Sequence, residues 1–384
     1  MNRTDFPFRS IVAYSFTYRE GMVSKIFLER VIPISGQEKK RIAFYIARSD
    51  GKGSYPERRA TILAHALQQE TEIVFLCGKD SPPAPDGFRS ISILGQAALP
   101  QTLAVLKPDL LIRDSGSTTQ EDAERITELV PSIIHFDDFG DGGNCADLVF
   151  QTLYMDSNEE VPDHYVVGTT SFFPDEEVDS FKEIGLRQKS AGPLPHLVIS
   201  FGDEDEGNLT YRALRHMLQL QIPLKITILV GEHYSHDIST LRIMALSRRN
   251  TKIILPPYSF AEVCSTADVV LCSSGYMPYE VAVMGIPCVV LAQNDFELGL
   301  AFPKEKHGFI HLGLGRKVKQ SGLLNAVMEP LLHETLRHKA VAKQLSLGLG
   351  DGKDAVCEAI RYYLEYPKRN IGGSTGKETS HMLH

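Results

Sequence analysis

The stretch that decides the fold is ADVVLCSSGYMPYE, residues 267–280. Its apolar run Val269–Cys272 is the length of a strand, and an uninterrupted apolar run is typical of a parallel strand that is covered on both faces. The small residues of Ser273–Gly275 then predict a tight turn, and a helix is expected from Tyr276. Strand, small-residue turn and helix together form the repeating unit of a parallel α/β sheet.

The same turn is a candidate ligand site. Small side chains at Ser273, Ser274 and Gly275 let a ligand approach the backbone, and free N–H groups at a helix start favour an anion. Glu280 lies one turn into the helix, where its carboxylate can accept hydrogen bonds from both hydroxyls of a ribose. The spacing fits equally well an ordinary strand–helix turn in which Glu280 favours the helix dipole. Both interpretations remain open at this point.

Outward from this stretch, short β-rich runs alternate with helical segments. In the second half, strands are predicted at His196–Ser200, Lys225–Val230, Lys252–Leu255, Val269–Cys272, Cys288–Leu291 and Phe309–Leu312. In the first half, strands are predicted at Arg41–Ala47, Glu72–Leu76, Ile91–Leu94, Asp109–Ile112 and Ile133–Phe136. The alternation indicates two Rossmann-like halves, each a parallel sheet between helices. Open sheets of this kind bind ligands at the carboxyl ends of their strands.

The predicted organisation has five parts. Residues 1–38 break the pattern and are expected to be an N-terminal extension, for which no role is assigned. Residues 39–190 are expected to form an N-terminal Rossmann-like domain, and residues 191–350 a C-terminal one. A last helix within 351–367 is expected to cross back to the first domain. Residues 368–384 are rich in Gly, Ser, Thr and Lys and are expected to be disordered.

The composition excludes several classes of protein. A chain of 384 residues exceeds the usual size of one hydrophobic core, so two domains are expected. The formal net charge is −8 without a basic block, which argues against nucleic acid as a partner. No apolar run approaches the roughly 20 residues of a spanning helix, and no export signal is recognised, so a cytoplasmic protein is expected. The six cysteines contain no C-x-x-C pair and favour buried free thiols.

A second glycine-containing loop, Ser200–Asn208, follows the first strand of the second half. Gly202 stands where a phosphate could approach the backbone, and Asn208 is a plausible N-cap for the helix that begins at Leu209. Four carboxylates in this loop would repel a diphosphate unless Mg²⁺ or a cationic side chain intervened. An acidic, solvated loop is therefore the favoured interpretation of this segment.

Three carboxylates at predicted strand ends are candidate catalytic bases. Asp50, Asp114 and Asp137 each follow or end a strand of the first half and are expected to face the cleft. A carboxylate in a ligand cleft can act as a general base. For any one of them a simple turn carboxylate is the alternative, and that alternative is somewhat favoured. A cluster around His233 lacks further ligands, so no metal site and no cofactor are expected.

Several short motifs occur along the chain in the order in which one family has them. They are Arg48–Asp50, Lys107–Leu111 with Asp114-Ser115, Phe136–Asp138, Ala146–Gln151, Ser200–Gly202 with Asp205 and Asn208–Thr210, Ser273–Gly275 with Glu280, Gly285–Val289, Leu312–Gly315 and Asp351–Lys353. From about Ile42 to Tyr363 the chain resembles the PseG/SpsG-like family. Its branches are the UDP-sugar hydrolases of pseudaminic-acid synthesis and the spore-coat polysaccharide biosynthesis proteins, and it is related to the MurG-like glycosyltransferases.

The resemblance implies a GT-B fold, with two Rossmann-like domains and a ligand cleft between them. It further implies that residues 39–190 lie on the sugar or acceptor side and that residues 191–350 bind the nucleotide. It also implies a nucleotide-sugar ligand, most readily a UDP-sugar, and a place in surface glycan biosynthesis, where another biosynthetic enzyme could be a partner. By position, Glu280 would hold the ribose and Gly275 would flank the nucleotide. Gly202 and Asn208 would lie near the phosphates.

The chain departs from the family at its catalytic loop. The hydrolases carry a histidine that assists the attack of water, and here Pro56 or Ser54 stands at that position, depending on the alignment. Neither side chain can act as an imidazole does near neutral pH. Glycosyl transfer is therefore the first hypothesis. An inverting transfer needs one base for its acceptor, and Asp50, Asp114 and Asp137 are the candidates. The alternatives are a UDP-sugar hydrolase of the pseudaminic-acid type and a non-catalytic member that binds a nucleotide-sugar or a partner enzyme.

Overall fold

The computed structural model describes residues 39–47, 53–156, 160–187 and 194–371. The first half contains a parallel sheet of seven strands in the order β3-β2-β1-β4-β5-β6-β7. The strands are β1 (Arg41–Ile46), β2 (Glu72–Cys77), β3 (Arg89–Ser92), β4 (Leu110–Asp114), β5 (Ser132–Phe136), β6 (Leu148–Gln151) and β7 (Tyr165–Val167). The central strands are buried along most of their length, as expected where helices cover both faces of a parallel sheet.

The second half contains a parallel sheet of six strands in the order β10-β9-β8-β11-β12-β13. Its strands are β8 (His196–Ser200), β9 (Lys225–Leu229), β10 (Thr251–Ile254), β11 (Val269–Cys272), β12 (Cys288–Ala292) and β13 (Ile310–Leu314). In both sheets the strand order reverses beside the first strand. The turns after β8 and β11 therefore flank the point at which a doubly wound sheet opens a ligand crevice.

Helices connect the strands in both halves. Those of the first half are α1 (Tyr55–Leu67), α2 (Leu99–Leu106), α3 (Gln120–Thr127), α4 (Glu176–Ser180) and α5 (Ile184–Arg187). Those that follow are α6 (Leu209–Met217), α7 (Ile238–Leu246), α8 (Phe260–Cys264), α9 (Met277–Met284), α10 (Asp295–Gly299), α11 (Gln320–Leu332), α12 (Glu334–Leu345) and α13 (Gly352–Glu365). Within the described ranges, no helix has both the length and the apolar character to cross a membrane.

The last helix, α13, packs on the first sheet. Its apolar residues Val356, Ile360 and Tyr363 belong to the same core cluster as Ile42 and Leu110 of the first half. The backbone carbonyl of Tyr363 also accepts a hydrogen bond from Ser132 Oγ at 2.9 Å. The chain therefore begins and ends its described fold on the same sheet.

The two halves are in close contact. The ring of Tyr55 in α1 stacks on that of Tyr276 with the centroids 3.9 Å apart. Tyr279 in α9 donates its hydroxyl to the backbone oxygen of Thr152 at 2.6 Å. A Cβ placed on Gly185 would lie 1.9 Å from the carbonyl oxygen of Gly285, so this close approach of the backbones requires glycine there.

The structure corrects several sequence-based expectations. The strands β6 and β7 and the helices α2 and α12 were not predicted. The third strand begins and ends earlier than predicted, and Leu94, at the end of the predicted strand, is 96% exposed. The tail was expected to be disordered from residue 368, yet Arg369 donates to Asp147 Oδ2 at 2.8 Å. The predicted extension, residues 1–38, lies outside the described residues.

Candidate functional site

A cleft of about 840 Å³ opens at the carboxyl ends of the strands of the second sheet. The loops after β8 (200–206), β9 (230–234), β10 (255–258) and β11 (273–276) line it. The start of α1, in the first half, closes it from the other side, and Ser54, one of the two positions matching the family histidine, lies there. Both halves therefore contribute to the cleft, at the topological switch point of the second sheet.

The turn after β11 is fixed by a buried carboxylate. The backbone N–H of Ser274 donates to Glu297 Oε2 at 3.2 Å, and Ser274 Oγ lies 3.0 Å from His311 Nε2. Ser274 is fully buried, whereas Ser273 and Gly275 line the cleft. The turn is therefore held from behind and presents its backbone to the cleft, as expected for a turn that receives a ligand.

Glu280 lies at the cleft but is not free. Its side chain is almost fully buried, and Oε1 lies 2.5 Å from Nη2 of Arg58 in α1. Arg58 also contacts Asp175 Oδ2 at 2.5 Å. Burial raises the pKa of Glu280, and the charge of Arg58 opposes that rise. The carboxylate expected to receive a ribose thus joins the two halves through an ion pair, and sequence reasoning had not singled out Arg58.

The predicted bases Asp114 and Asp137 are buried in a second ion-pair network. Both accept hydrogen bonds from the guanidinium of Arg59, Asp137 at 3.0 Å, and Asp137 also accepts from the hydroxyl of Tyr276. All three charged side chains are at most 1% exposed. The expectation that these two carboxylates face the cleft is therefore wrong, because Arg59 compensates them in the interior. Asp50 lies outside the described residues.

The loop after β8 uses its acidic residues in different ways. Asp205 is buried, and its two carboxylate oxygens accept the N–H groups of Leu209 (2.7 Å) and Thr210 (2.9 Å). Burial raises the pKa of Asp205, while these hydrogen bonds lower it. Asn208 was expected to cap α6 but makes no side-chain cap; its Oδ1 accepts from Tyr234 at 3.0 Å. Asp205 fills that role, because its carboxylate accepts the first N–H groups of the helix.

Two further residues of this loop contribute to the cleft wall. Gly202 has φ +84°, a left-handed conformation that favours glycine, and it lines the cleft. Asp203 Oδ2 lies 2.7 Å from His233 Nδ1, and Asp203 Oδ1 accepts the N–H of Glu232 at 2.9 Å. Glu204 is exposed and fits the prediction of an acidic, solvated loop. Asp203 does not fit it, because its carboxylate joins this loop to the loop after β9.

Glu297 is a cleft residue that the sequence did not reveal. It is 2% exposed, and its Oε2 accepts the N–H groups of Ser274 and Gln293, the latter at 2.8 Å. Burial raises its pKa to about 7, against the lowering by these hydrogen bonds. In sequence, Asn294 and Glu297 have the spacing of an ordinary helix cap, and Asn294 Oδ1 does accept the Glu297 N–H at 2.9 Å.

The cleft is strongly acidic. Ten carboxylate side chains line it: Glu57, Asp175, Glu177, Asp203, Glu204, Asp205, Glu206, Glu232, Glu280 and Glu297. Against them, the described lining contains one guanidinium, Arg58, and one imidazole, His233, and both contact carboxylates. In the part of the chain that the structure describes, no three His, Cys, Asp or Glu side chains are grouped so as to hold a metal ion.

No family model matches the chain. It is 24% identical over 257 residues to the uncharacterized protein MJ1062 of Methanocaldococcus jannaschii, covering 62% of this chain and 53% of that protein. The chain thus spans about half the length of this curated relative.

Solved structures match over most of the chain. MurG of Acinetobacter baumannii aligns with 84% of this chain and 99% of its own, at TM-score 0.59 and 15% identity. S. aureus MnaA, solved with UDP, aligns with 86% of this chain and 98% of its own, at TM-score 0.56 and 15% identity. Anabaena HepE, solved with UDP and glucose, aligns with 85% of this chain and 99% of its own, at TM-score 0.54 and 12% identity. The chain has the GT-B fold, two Rossmann-like domains with a cleft between them, as the sequence predicts.

Proposed function

We propose that this chain binds a nucleotide-sugar, in particular a UDP-sugar, in the cleft and transfers the sugar during surface glycan biosynthesis. The observation that supports this most is the position of the cleft, at the switch point of the second sheet and closed by α1 of the first half. Two GT-B neighbours, MnaA and HepE, have been solved with UDP. The resemblance of the motifs to the PseG/SpsG-like family points in the same direction.

Within this proposal the nucleotide lies against the turn after β11. Ser273 and Gly275 line the cleft and would flank the nucleotide, and Ser274 holds the turn in place. Glu280 would accept from the ribose, which requires the ribose to displace or share Arg58. Gly202 would lie near the phosphates.

The acceptor base is proposed on the first half of the cleft. Asp114 and Asp137 can serve only if Arg59 releases them, so Asp50 remains the candidate among the three predicted carboxylates. Glu177 lines the cleft and joins it as a candidate. Burial and the neighbouring Asp175 raise the pKa of Glu177 while Arg58 lowers it, and a raised pKa brings a carboxylate closer to the range of an effective base.

Purified protein can be screened by thermal shift against UDP-, CMP- and GDP-sugars. A ligand at a hundredfold excess over its Kd stabilises the folded state by about 2.7 kcal/mol, which gives a clear shift. We expect stabilisation by UDP-sugars above the others. No shift with any nucleotide-sugar would refute the proposal. Free sugar and UDP released without an acceptor would indicate the hydrolase of the pseudaminic-acid type instead of a transferase.

One observation favours a second candidate function, a non-catalytic binding protein. Arg59 compensates Asp114 and Asp137 in the interior, and Ser54 or Pro56 replaces the family histidine. Such a protein would bind a nucleotide-sugar or a partner enzyme without turnover, and residues 1–38 are the candidate docking element. Turnover of a nucleotide-sugar that is lost on substitution of Asp50 or Glu177 would rule it out.

A further inference from the structure

The charge of the cleft is the wrong sign for a free diphosphate. Ten carboxylates line it, and the one guanidinium and one imidazole of its described lining, Arg58 and His233, both contact carboxylates. Like charges repel strongly in a partly desolvated site, so a bare nucleoside diphosphate would enter at a large cost. A ligand that carries a cation with it removes that cost.

The helix end that could receive a phosphate is already filled. The first N–H groups of α6, at Leu209 and Thr210, donate to the carboxylate of Asp205. A helix N-terminus attracts an anion through such free N–H groups, and here a side chain of the protein occupies them. The structure therefore offers little compensation of its own for the charge of a diphosphate beside this loop.

Two carboxylates beside the same loop have oxygen atoms that accept no hydrogen bond from a described residue. Both hydrogen bonds to the Glu297 side chain go to Oε2, so Oε1 accepts none from a described residue although the side chain is only 2% exposed and lines the cleft. Glu206 is exposed, lines the cleft, and has no side-chain partner among the described residues. Gln293 links the two positions, because its N–H donates to Glu297 Oε2 at 2.8 Å and its Oε1 accepts the N–H of Gly207, the residue after Glu206, at 3.4 Å.

This arrangement fits magnesium bound with a diphosphate. Mg²⁺ keeps several waters and is held by one or two carboxylates together with the phosphates of a substrate. Such a site needs no group of three protein ligands, in agreement with the described residues. We infer that the cleft takes its nucleotide-sugar as the Mg²⁺ complex, with Glu206 and Glu297 supplying the protein ligands to the cation. This inference rests on the proposed function and names the form in which the ligand binds.

The test is a calorimetric titration of UDP into the full chain, once with Mg²⁺ and once with EDTA. We expect the Kd to be at least about tenfold weaker in EDTA, because the carboxylates then face an uncompensated diphosphate. Glu206→Gln should change the two values in opposite directions, with weaker binding in Mg²⁺ and tighter binding in EDTA. Glu297→Gln should do the same, since its amide oxygen can still accept from Ser274 and Gln293.

The matched control is Glu128→Gln, because the side chain of Glu128 is exposed, has no partner among the described residues, and does not line the cleft. It should leave both Kd values unchanged. A merely structural role of Glu206 would weaken binding in both buffers and overturns the inference. Equal affinity of the wild-type protein in Mg²⁺ and EDTA also overturns it and leaves the proposed function standing. No binding of UDP in either buffer overturns both.

Discussion

Two acidic regions of this molecule meet at α1 and differ in how their charge is compensated. Around Arg59, the carboxylates of Asp114 and Asp137 are buried and paired with one guanidinium. The described lining of the cleft contains ten carboxylates but one guanidinium and one imidazole. A buried charge that is fully paired serves the packing of the two halves. The poorly paired carboxylates of the cleft are the reason for our proposal that its ligand carries a cation.

A substitution of Arg59 tests the difference between the two regions most strongly. Arg59→Met removes the cation and leaves two carboxylates uncompensated in the interior, so we expect a loss of about 3–5 kcal/mol in unfolding free energy. Urea denaturation followed by circular dichroism measures it.

A matched surface variant shows how much of this effect comes from burial. Arg125→Met breaks an ion pair with Glu121 whose side chains are 62% and 76% exposed, and it should cost less than about 1 kcal/mol. Equal losses for the two arginine variants would contradict the distinction between the two regions.

The second prediction concerns pH. The folded state raises the pKa of Glu297 from 4.5 to about 7, so it binds a proton there that the unfolded chain has already released. Its contribution to stability is therefore largest below about pH 4.5 and is lost as the pH rises to about 7, by about 3 kcal/mol at roughly 1.4 kcal/mol per pKa unit.

Glu297→Gln cannot titrate and should lack this fall. The measurement is the difference in unfolding free energy between wild-type protein and variant at several pH values, with Glu128→Gln as control. A constant difference across that range would show that Glu297 ionises as freely in the folded protein as in the unfolded chain.

The third and smallest effect is on binding. Glu280→Gln keeps the size of the side chain but removes its charge, and we expect nucleotide affinity to fall by about 1.5–3 kcal/mol, the range for a hydrogen bond to a charged group. The stacking of Tyr55 on Tyr276 and the hydrogen bond from Tyr279 to Thr152 still join the two halves, so the halves should remain together. Calorimetry and thermal unfolding of one variant test both parts. Lost stability with unchanged affinity would make Glu280 purely structural.

Most of the fold could be predicted from local pattern. The strands His196–Ser200 and Val269–Cys272 have the bounds that their apolar runs predict. Edge strand β7 was missed because its three residues form no continuous buried run. The parallel alternation of strand and helix is a local signal, and it was enough to predict two Rossmann-like halves.

The site was predicted less well, because its chemistry depends on contacts between distant residues. Asp114 and Asp137 do stand at strand ends, but their pairing with Arg59 spans 55 and 78 residues of sequence. The contact of Arg58 with Glu280 joins the two halves in the same way. Spacing along the chain predicts which residues share a sheet edge. It cannot predict which basic side chain of another helix forms an ion pair with them.

The most direct test of the account is to locate the bound nucleotide. Hydrogen–deuterium exchange with and without UDP, in the presence of Mg²⁺, reports protection along the whole chain. We predict slower exchange in the loops after β8 (200–208) and β11 (273–276), with no change at α2, none of whose residues lines the cleft. Saturating UDP that leaves both loops unchanged, or that protects only segments outside the cleft, would contradict the account.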